Sequence, residues 1–208
     1  MRWSLPFAAL LLAACHAPGS RDKTNMQPMF PDGIESWSVV GGKADFAFED
    51  GVLTGSAEKL GRNSFLVSPR EYDDFVLEAE IWIEPGTNSG IQVRSHTNDS
   101  GRFFGYQIEI DTSERAWSGG VYDEGRRGWL NPLKDNEEAR AAFKNGEWNH
   151  YRIQAEGNTL KSWVNGVPCA DFTDTDPDNT TLSGFIGFQV HSGAKAKVSW
   201  RNVQISEL

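Results

Sequence analysis

Three segments of the sequence alternate apolar residues with side chains that could do acid–base chemistry. Their polar members are Arg94 and His96 in the first segment, Gln107, Glu109 and Asp111 in the second, and Gln189 and His191 in the third. Successive side chains of a β-strand point to opposite faces, so each set is predicted to lie on one face of its strand. If the strands share a sheet, one face gathers carboxylates, imidazoles and a guanidinium, groups suited to proton transfer and charge stabilisation.

Aromatic residues accompany these polar segments. Trp117, Tyr122 and Trp129 fall in a glycine-rich stretch, residues 116–132 (AWSGGVYDEGRRGWLNP), most of which is predicted to be loop. Flat aromatic faces match the C–H patches of a pyranose ring, while nearby polar groups bind its hydroxyls. The combination predicts a carbohydrate cleft, and a solvated strand face is the structural alternative.

The composition is ordinary for a folded globular protein, and the charge argues against a nucleic-acid-binding one. The chain has 208 residues, of which 38% are hydrophobic and 24% charged. Its formal net charge of −9 argues against binding a nucleic acid, which needs a basic surface. The length suits one sizeable domain.

Turn residues recur along the chain about every ten residues, which is typical of an all-β sandwich. Only residues 136–144 have helical composition. The predicted strands are Trp37–Val40, Asp45–Glu49, Val52–Gly55, Ser64–Val67, Phe75–Ile83, Ser89–Ser95, Gly105–Asp111, Gly119–Tyr122, Asn149–Glu156, Thr159–Val164, Gly184–Val190 and Ala196–Ile205.

The N-terminal residues predict export and lipid anchoring. Residues 1–14 combine an early Arg2 with a short apolar run, as in a signal peptide. The run ends in Leu12-Ala13-Ala14-Cys15, which is similar to a bacterial lipobox. We therefore expect lipidation of Cys15, a lipidated flexible tether over residues 15–28, and a folded domain over residues 29–208. The expected location is the outer membrane, facing the periplasm.

A series of short motifs runs through the chain in a fixed order. They are EDGVL (49–53), DFVLE (74–78), PGTNSGI (85–91) followed by Arg94, GYQIEID (105–111), GGVY (119–122), Asn131-Pro132, GEWNHY (146–151), WVNG (163–166) and GFQVHSG (187–193). Through these motifs the chain, from about Phe30 to Leu208, resembles the 3-keto-disaccharide hydrolase domain family. Gln107 stands where that family often has Glu, and Val190 where it often has Asp.

The resemblance implies a concanavalin A-like jelly roll of two curved antiparallel sheets. It also implies an exported enzyme that cleaves 3-keto-glycosides or 3-keto-disaccharides, which are already oxidised at C3, either by elimination and hydration or by hydrolysis. A C3 ketone acidifies the hydrogen on C2, so a base can remove it and the C1 oxygen substituent leaves; water then adds back.

Within that chemistry the expected roles fall on the alternating segments. Glu109 is the preferred base, tuned by Asp111, and His191 the preferred leaving-group acid or metal ligand. Arg94 is expected to polarise the ketone or to hold a carboxylate, with His96 as a further acid or base. A divalent metal is a candidate cofactor, with His96, Glu109 and His191 as ligands. The predicted sugar-binding residues are Gln107, Gln189, Tyr122, Trp117, Trp129 and Asn131.

Two other functions remain open from the sequence. Gln107-x-Glu109-x-Asp111 resembles the acidic strand of jelly-roll glucanases, but a retaining glycosidase needs a second carboxylate where Gln107 stands. A carbohydrate-binding module of the same fold would need the aromatic residues without the His and Arg cluster.

Overall fold

A computed structural model describes residues 25–208 and shows two antiparallel β-sheets packed face to face. This confirms the predicted all-β sandwich. The predicted signal peptide, the lipidation site Cys15 and most of the predicted tether lie outside the described residues. Between residues 25 and 208, no helix is long and apolar enough to cross a membrane.

Fifteen strands and one short helix make up the described part of the chain. In chain order they are β1 (Gln27–Pro28), β2 (Ser38–Gly41), β3 (Asp45–Glu49), β4 (Val52–Leu60), β5 (Ser64–Tyr72), β6 (Phe75–Ile83), β7 (Asn88–Thr97), β8 (Phe103–Asp111), β9 (Val121–Glu124), β10 (Gly128–Asn131), α1 (Glu137–Arg140), β11 (Asn149–Glu156), β12 (Thr159–Val164), β13 (Val167–Thr173), β14 (Gly184–Val190) and β15 (Gly193–Glu207).

The strands divide between an eight-stranded and a seven-stranded sheet. The first has the order β13-β12-β11-β6-β15-β4-β3, with β1 paired to β15. The second has the order β10-β9-β8-β7-β14-β5-β2. All three polar segments found in the sequence fall in the second sheet, in or immediately after its neighbouring strands β8, β7 and β14.

Alternation along each strand builds the core between the sheets. In β6, Phe75, Leu77, Ala79, Ile81 and Ile83 are buried against the opposite sheet. Strand β8 contributes its own alternate, apolar set to the same core, including Ile108 and Ile110. Its remaining side chains therefore point away from the core, onto the outer face of the seven-stranded sheet.

The structure corrects the predicted elements in three places. Strands β10 and β13 were not predicted, and β10 lies in the glycine-rich stretch. The helix covers only Glu137–Arg140, a single turn capped by the Asn136 side chain. Gln27 and Pro28 pair with β15, so the sheet begins inside the predicted tether.

Candidate functional site

A cleft of about 800 Å³ lies on the outer face of the seven-stranded sheet. It runs over β8 and β9 toward the segment that follows β14. The cleft brings together six of the predicted site residues, which are Gln107, Glu109, Asp111, Tyr122, Trp129 and His191.

Glu109 is held at the floor of this cleft by three donors. Asn88 Nδ2 and Arg115 Nη2 donate to its Oε1 at 2.8 and 3.0 Å, and Gln107 Nε2 donates to its Oε2 at 3.1 Å. An ionised carboxylate has about four lone-pair sites, so three are filled and the one left belongs to Oε2. The residue is only 4% exposed, and it lines the cleft.

The two carboxyl groups on β8 have opposite pKa shifts. Burial raises the pKa of Glu109, and the hydrogen bonds from Asn88 and Gln107 only partly offset it. Burial also acts to raise the pKa of Asp111, but hydrogen bonds from Ser113 and Arg115 outweigh it, so that pKa is lowered. Glu109 is therefore the better proton acceptor of the pair, and Asp111 stays ionised.

Arg115 links both carboxylates and is itself held by aromatic rings. Its Nε donates to Asp111 Oδ2 at 2.8 Å, while Nη2 reaches Glu109. The guanidinium carbon lies 5.0 and 4.8 Å from the ring centroids of Trp117 and Trp129. Those two indoles meet edge to face at 4.8 Å. Cation–π contacts and ion pairs together fix Arg115 at the cleft wall, with N–H groups to spare.

His191 lines the cleft from the segment after β14, and its tautomer can be inferred. Its Nδ1 lies 2.7 Å from the Ser192 carbonyl oxygen. A carbonyl oxygen only accepts, so Nδ1 carries a proton in either charge state. In the neutral ring, Nε2 is then the acceptor; in the charged ring, it is a donor.

A chain of amides runs beneath the carboxylate. Gln189 Nε2 donates to Gln107 Oε1 at 3.0 Å, and Gln107 in turn donates to Glu109. Because an ionised Glu109 only accepts, it fixes the direction of both amides. Gln189 is fully buried and does not line the cleft, so the structure places it behind Gln107 rather than at the predicted sugar contact.

The prediction that Arg94 shares this face is wrong. A β-bulge between Val93 and His96 interrupts the alternation, and Arg94 adopts a φ of 48°. Its guanidinium turns away to donate to the Asp73 and Gly157 carbonyls and to Asp74. Arg94 thus ties two turns of the sandwich together at a position 1% exposed.

Three other predicted residues also lie away from the cleft lining. His96 follows the same bulge, and its Nε2 is 3.1 Å from the Ser183 carbonyl oxygen. Trp117 packs behind Arg115 and Trp129. Asn131 lies in β10, opposite Val121.

The proposed ligand set His96, Glu109 and His191 does not fit a metal ion. His96 is outside the cleft lining, and the oxygens of Glu109 already accept three hydrogen bonds. Over residues 25–208, no group of three His, Cys, Asp or Glu side chains is arranged to hold a metal.

Sequence reasoning missed two residues of the site, Asn88 and Arg115. Asn88 opens β7 opposite Asp111 and lies within the PGTNSGI motif, directly before the predicted strand Ser89–Ser95. Arg115 comes from the loop after β8, and its spacing of four residues from Asp111 was the one sequence signal for their contact.

Comparison with known proteins agrees with this architecture. A provisionally named glycosyl hydrolase from Parabacteroides distasonis is 21% identical, with a TM-score of 0.63 over 89% of this chain and 100% of that chain. A carbohydrate-binding module of Bacillus subtilis, CBM66, is 18% identical, with a TM-score of 0.58 over 82% of this chain and 96% of that one.

A β-1,3-1,4-glucanase (lichenase) derived from a mouse hindgut metagenome is 12% identical, with a TM-score of 0.53 over 83% of this chain and 93% of that chain. At these identities the likenesses show the fold, a concanavalin A-like jelly roll. A comparison with curated proteins found no match. The family model of the 3-keto-alpha-glucoside-1,2-lyase-like domain matches residues 25–206, so the chain belongs to this family.

Proposed function

We propose that this protein is an exported enzyme that cleaves 3-keto-glycosides or 3-keto-disaccharides by elimination followed by hydration. The observation that carries the proposal is Glu109, a buried carboxylate at the floor of the cleft with one lone-pair site unfilled. Its raised pKa makes it a stronger base than an ordinary glutamate.

In the first step, Glu109 Oε2 takes the proton from C2 of the bound 3-keto sugar. The electron pair of that C–H bond forms the C1=C2 double bond, and the bond from C1 to the leaving oxygen breaks. His191, protonated on Nε2, gives its proton to that oxygen. Water then adds at C1 and a proton returns to C2, so the products are the free alcohol and the 3-keto sugar.

In this mechanism Arg115 polarises the ketone, the role that the sequence predicted for Arg94. Two of its five N–H groups bind Glu109 and Asp111, which leaves three. Negative charge builds on the ketone oxygen as C2 loses its proton, and a fixed guanidinium at the cleft wall stabilises that charge. Tyr122 and Trp129 provide the aromatic side of the sugar site.

The test compares a 3-keto-glucoside with the plain glucoside of the same aglycone. We expect release of the aglycone from the keto substrate alone, because only the ketone acidifies C2. Exchange of the C2 hydrogen with deuterated water, followed by mass spectrometry, reports the first step directly. Equal cleavage of both substrates would instead indicate a direct glycosidase.

The second candidate is a carbohydrate-binding module, favoured by the structural likeness to CBM66. In that case Glu109 and His191 bind hydroxyl groups and remove no proton. Measurable sugar affinity without turnover or hydrogen exchange on either substrate would favour the module over the enzyme.

We also propose that the protein is a lipoprotein held at the outer membrane through Cys15. The support is the sequence Leu12-Ala13-Ala14-Cys15 at the end of the apolar run. Two or more acyl chains give lasting membrane attachment. Cys15→Ser is expected to release the protein from the membrane fraction; continued attachment with unchanged mass would contradict the proposal.

A further inference from the structure

A second pocket of about 390 Å³ adjoins the cleft on the outer face of the seven-stranded sheet. We call it the arginine pocket. Glu124 and Ser192 line both the cleft and this pocket, so the two are neighbours. The residues that define it are Arg62, Asn63, Phe65, Arg102 and Phe103.

The charges of the two spaces are opposite. Glu109, Asp111 and Glu124 outnumber Arg115 and Lys195 around the cleft, which is therefore net negative. In the arginine pocket, two arginines face the single carboxylate of Glu124. This positive spot belongs to a chain with a formal net charge of −9.

Neither Arg62 nor Arg102 forms a short, buried ion pair with another residue between 25 and 208. Arg102 Nη2 lies 3.3 Å from Glu124 Oε1, and its side chain is 57% exposed. Arg62 is exposed, and its guanidinium makes no hydrogen bond or ion pair with any residue from 25 to 208. A guanidinium offers two parallel N–H groups, the geometry that binds a carboxylate in bidentate fashion.

A further polar side chain of the pocket can donate a hydrogen bond to an anionic ligand. Asn63 Oδ1 already accepts from the Ser192 backbone N–H at 2.9 Å, so its Nδ2 is the group left to bind a ligand. The turn that carries Arg102 is fixed by Asn98 Oδ1, which accepts from the backbone N–H groups of Ser100 and Arg102. Phe65 and Phe103, 5.2 Å apart, form the apolar base.

We propose that the arginine pocket binds the leaving part of the substrate, and that this part carries a carboxylate. The proposal rests on the proposed function, in which His191 protonates the leaving oxygen. Ser192, the next residue, lines both spaces, so a substituent on that oxygen lies beside the arginine pocket. The carboxylate source is either an aryl acid or a uronic acid, since both present the same group.

The experiment uses pairs of 3-keto-glucosides that differ only in charge. One pair has 4-carboxyphenyl and 4-carbamoylphenyl leaving groups; the other has glucuronate and glucuronamide. We expect kcat/KM about tenfold higher for the acid in at least one pair, the effect of one charge-assisted pair. The better pair identifies the source. The preference should fall with added salt, because the arginines are exposed.

Arg62→Gln and Arg102→Gln are the test variants, and Arg70→Gln is the matched control. Arg70 is exposed, as both test residues are, and it is ion-paired to Glu207, as Arg102 is to Glu124, but it lines neither space. The double variant should cleave acid and amide equally, while the control keeps the preference. Equal rates for acid and amide in wild type, or a preference that survives the double variant, would overturn the proposal.

Failure of the proposed function can be told apart from failure of this pocket. If no 3-keto-glucoside is cleaved, the proposed function fails, and calorimetric titration with 4-hydroxybenzoate and 4-hydroxybenzamide tests the pocket alone. Tighter binding of the acid, lost on Arg62→Gln, supports an anion pocket. Equal affinity for acid and amide overturns it.

Discussion

The outer faces of both sheets carry polar side chains, but these side chains differ in their exposure to solvent. On the eight-stranded sheet, Glu80 and Arg201 form an ion pair with side chains 28% and 40% exposed. On the seven-stranded sheet, Gln107, Glu109 and Asp111 are 2–4% exposed. The same period-two alternation produces a solvent-exposed polar face on the eight-stranded sheet, which we call the wet face, and a buried polar face on the seven-stranded sheet.

The difference arises from what covers each face. The loop after β8 folds back and lays Arg115 over Glu109 and Asp111. Gly90 lies opposite Glu109 in β7, and a Cβ there would come within 2.4 Å of the Gln107 side chain. The missing side chain lets Gln107 lie flat along the sheet, where it reaches both Gln189 and Glu109.

Burial on the cleft face is not fully matched by hydrogen bonds. Both amide atoms of Gln92 and Oε1 of Gln189 find no partner between residues 25 and 208. Where neither water nor a ligand binds it, each such group costs about 1–3 kcal/mol. The wet face avoids this cost because water solvates its side chains. Polar groups retained at that cost are typical of a face kept for binding or chemistry rather than for stability.

The largest predicted effect concerns Arg94, the residue that the bulge removes from the cleft face. Arg94→Met loses three charge-assisted hydrogen bonds at a buried position, so we expect about 3 kcal/mol less free energy of unfolding. Urea unfolding measures this. Arg70→Met, in an exposed pair, should cost at most about 1 kcal/mol. If the Arg94→Met protein is as stable as wild type but has lost turnover, Arg94 acts in the reaction and the structural role given to it here is wrong.

The second prediction makes the same change on each face. Glu109→Gln should lower turnover of a 3-keto-glucoside by about 100-fold or more, because it removes the base and leaves the side-chain shape. Glu80→Gln, on the wet face, should leave the rate as in wild type. The rates are compared at equal concentrations of folded protein. Equal rates in all three proteins would mean that the buried polar face only binds sugar.

Alternation predicted the fold and half of the site, for a physical reason. Strands such as β3, β6, β11, β12 and β14 have the predicted bounds because their inward residues must reach one core. The parity of Gln107, Glu109 and Asp111 follows from the same rule, since β8 is regular along those residues.

The rest of the site depends on departures from regular geometry. The bulge at Arg94 reverses the parity within β7, and Arg94 itself, a non-glycine residue, takes the positive φ, so no glycine or proline marks it in the sequence. Arg115 comes from a loop, where no strand alternation exists, and its position depends on contacts with Trp117 and Trp129. Alternation within strands cannot predict tertiary contacts of this kind.

The third prediction concerns the pH dependence of the cleft. The charge of Arg115 acts to lower the pKa of Glu109, so Arg115→Met should raise that pKa further. A base works when deprotonated, so the acidic limb of kcat/KM should move to higher pH, with a loss of about tenfold below the limb. The pH–rate profile measures this, with Lys195→Met, a second cation of the cleft lining, as control. If the acidic limb does not move, the charge of Arg115 does not control the ionisation of Glu109, and the prediction is wrong.

The smallest effect is expected on the wet face, where Glu80 accepts from Asn202 Nδ2 at 2.8 Å and pairs with Arg201 at 2.6 Å. The hydrogen bond from Asn202 is the largest influence on the pKa of Glu80 and lowers it below its ordinary value. Burial opposes this lowering, and the hydrogen bond and charge of Arg201 add to it.

A lowered folded-state pKa means that the stabilisation is present above the unfolded pKa and is lost as pH falls through the folded value. Glu80→Gln should therefore reduce the free energy of unfolding by at most about 1 kcal/mol at neutral pH, since water screens the pair. The difference from wild type should shrink toward zero in acid. Urea unfolding of both proteins across that pH range provides the measurement. A large, pH-independent cost would mean that this face is packed like the cleft, and the contrast between the two faces would fail.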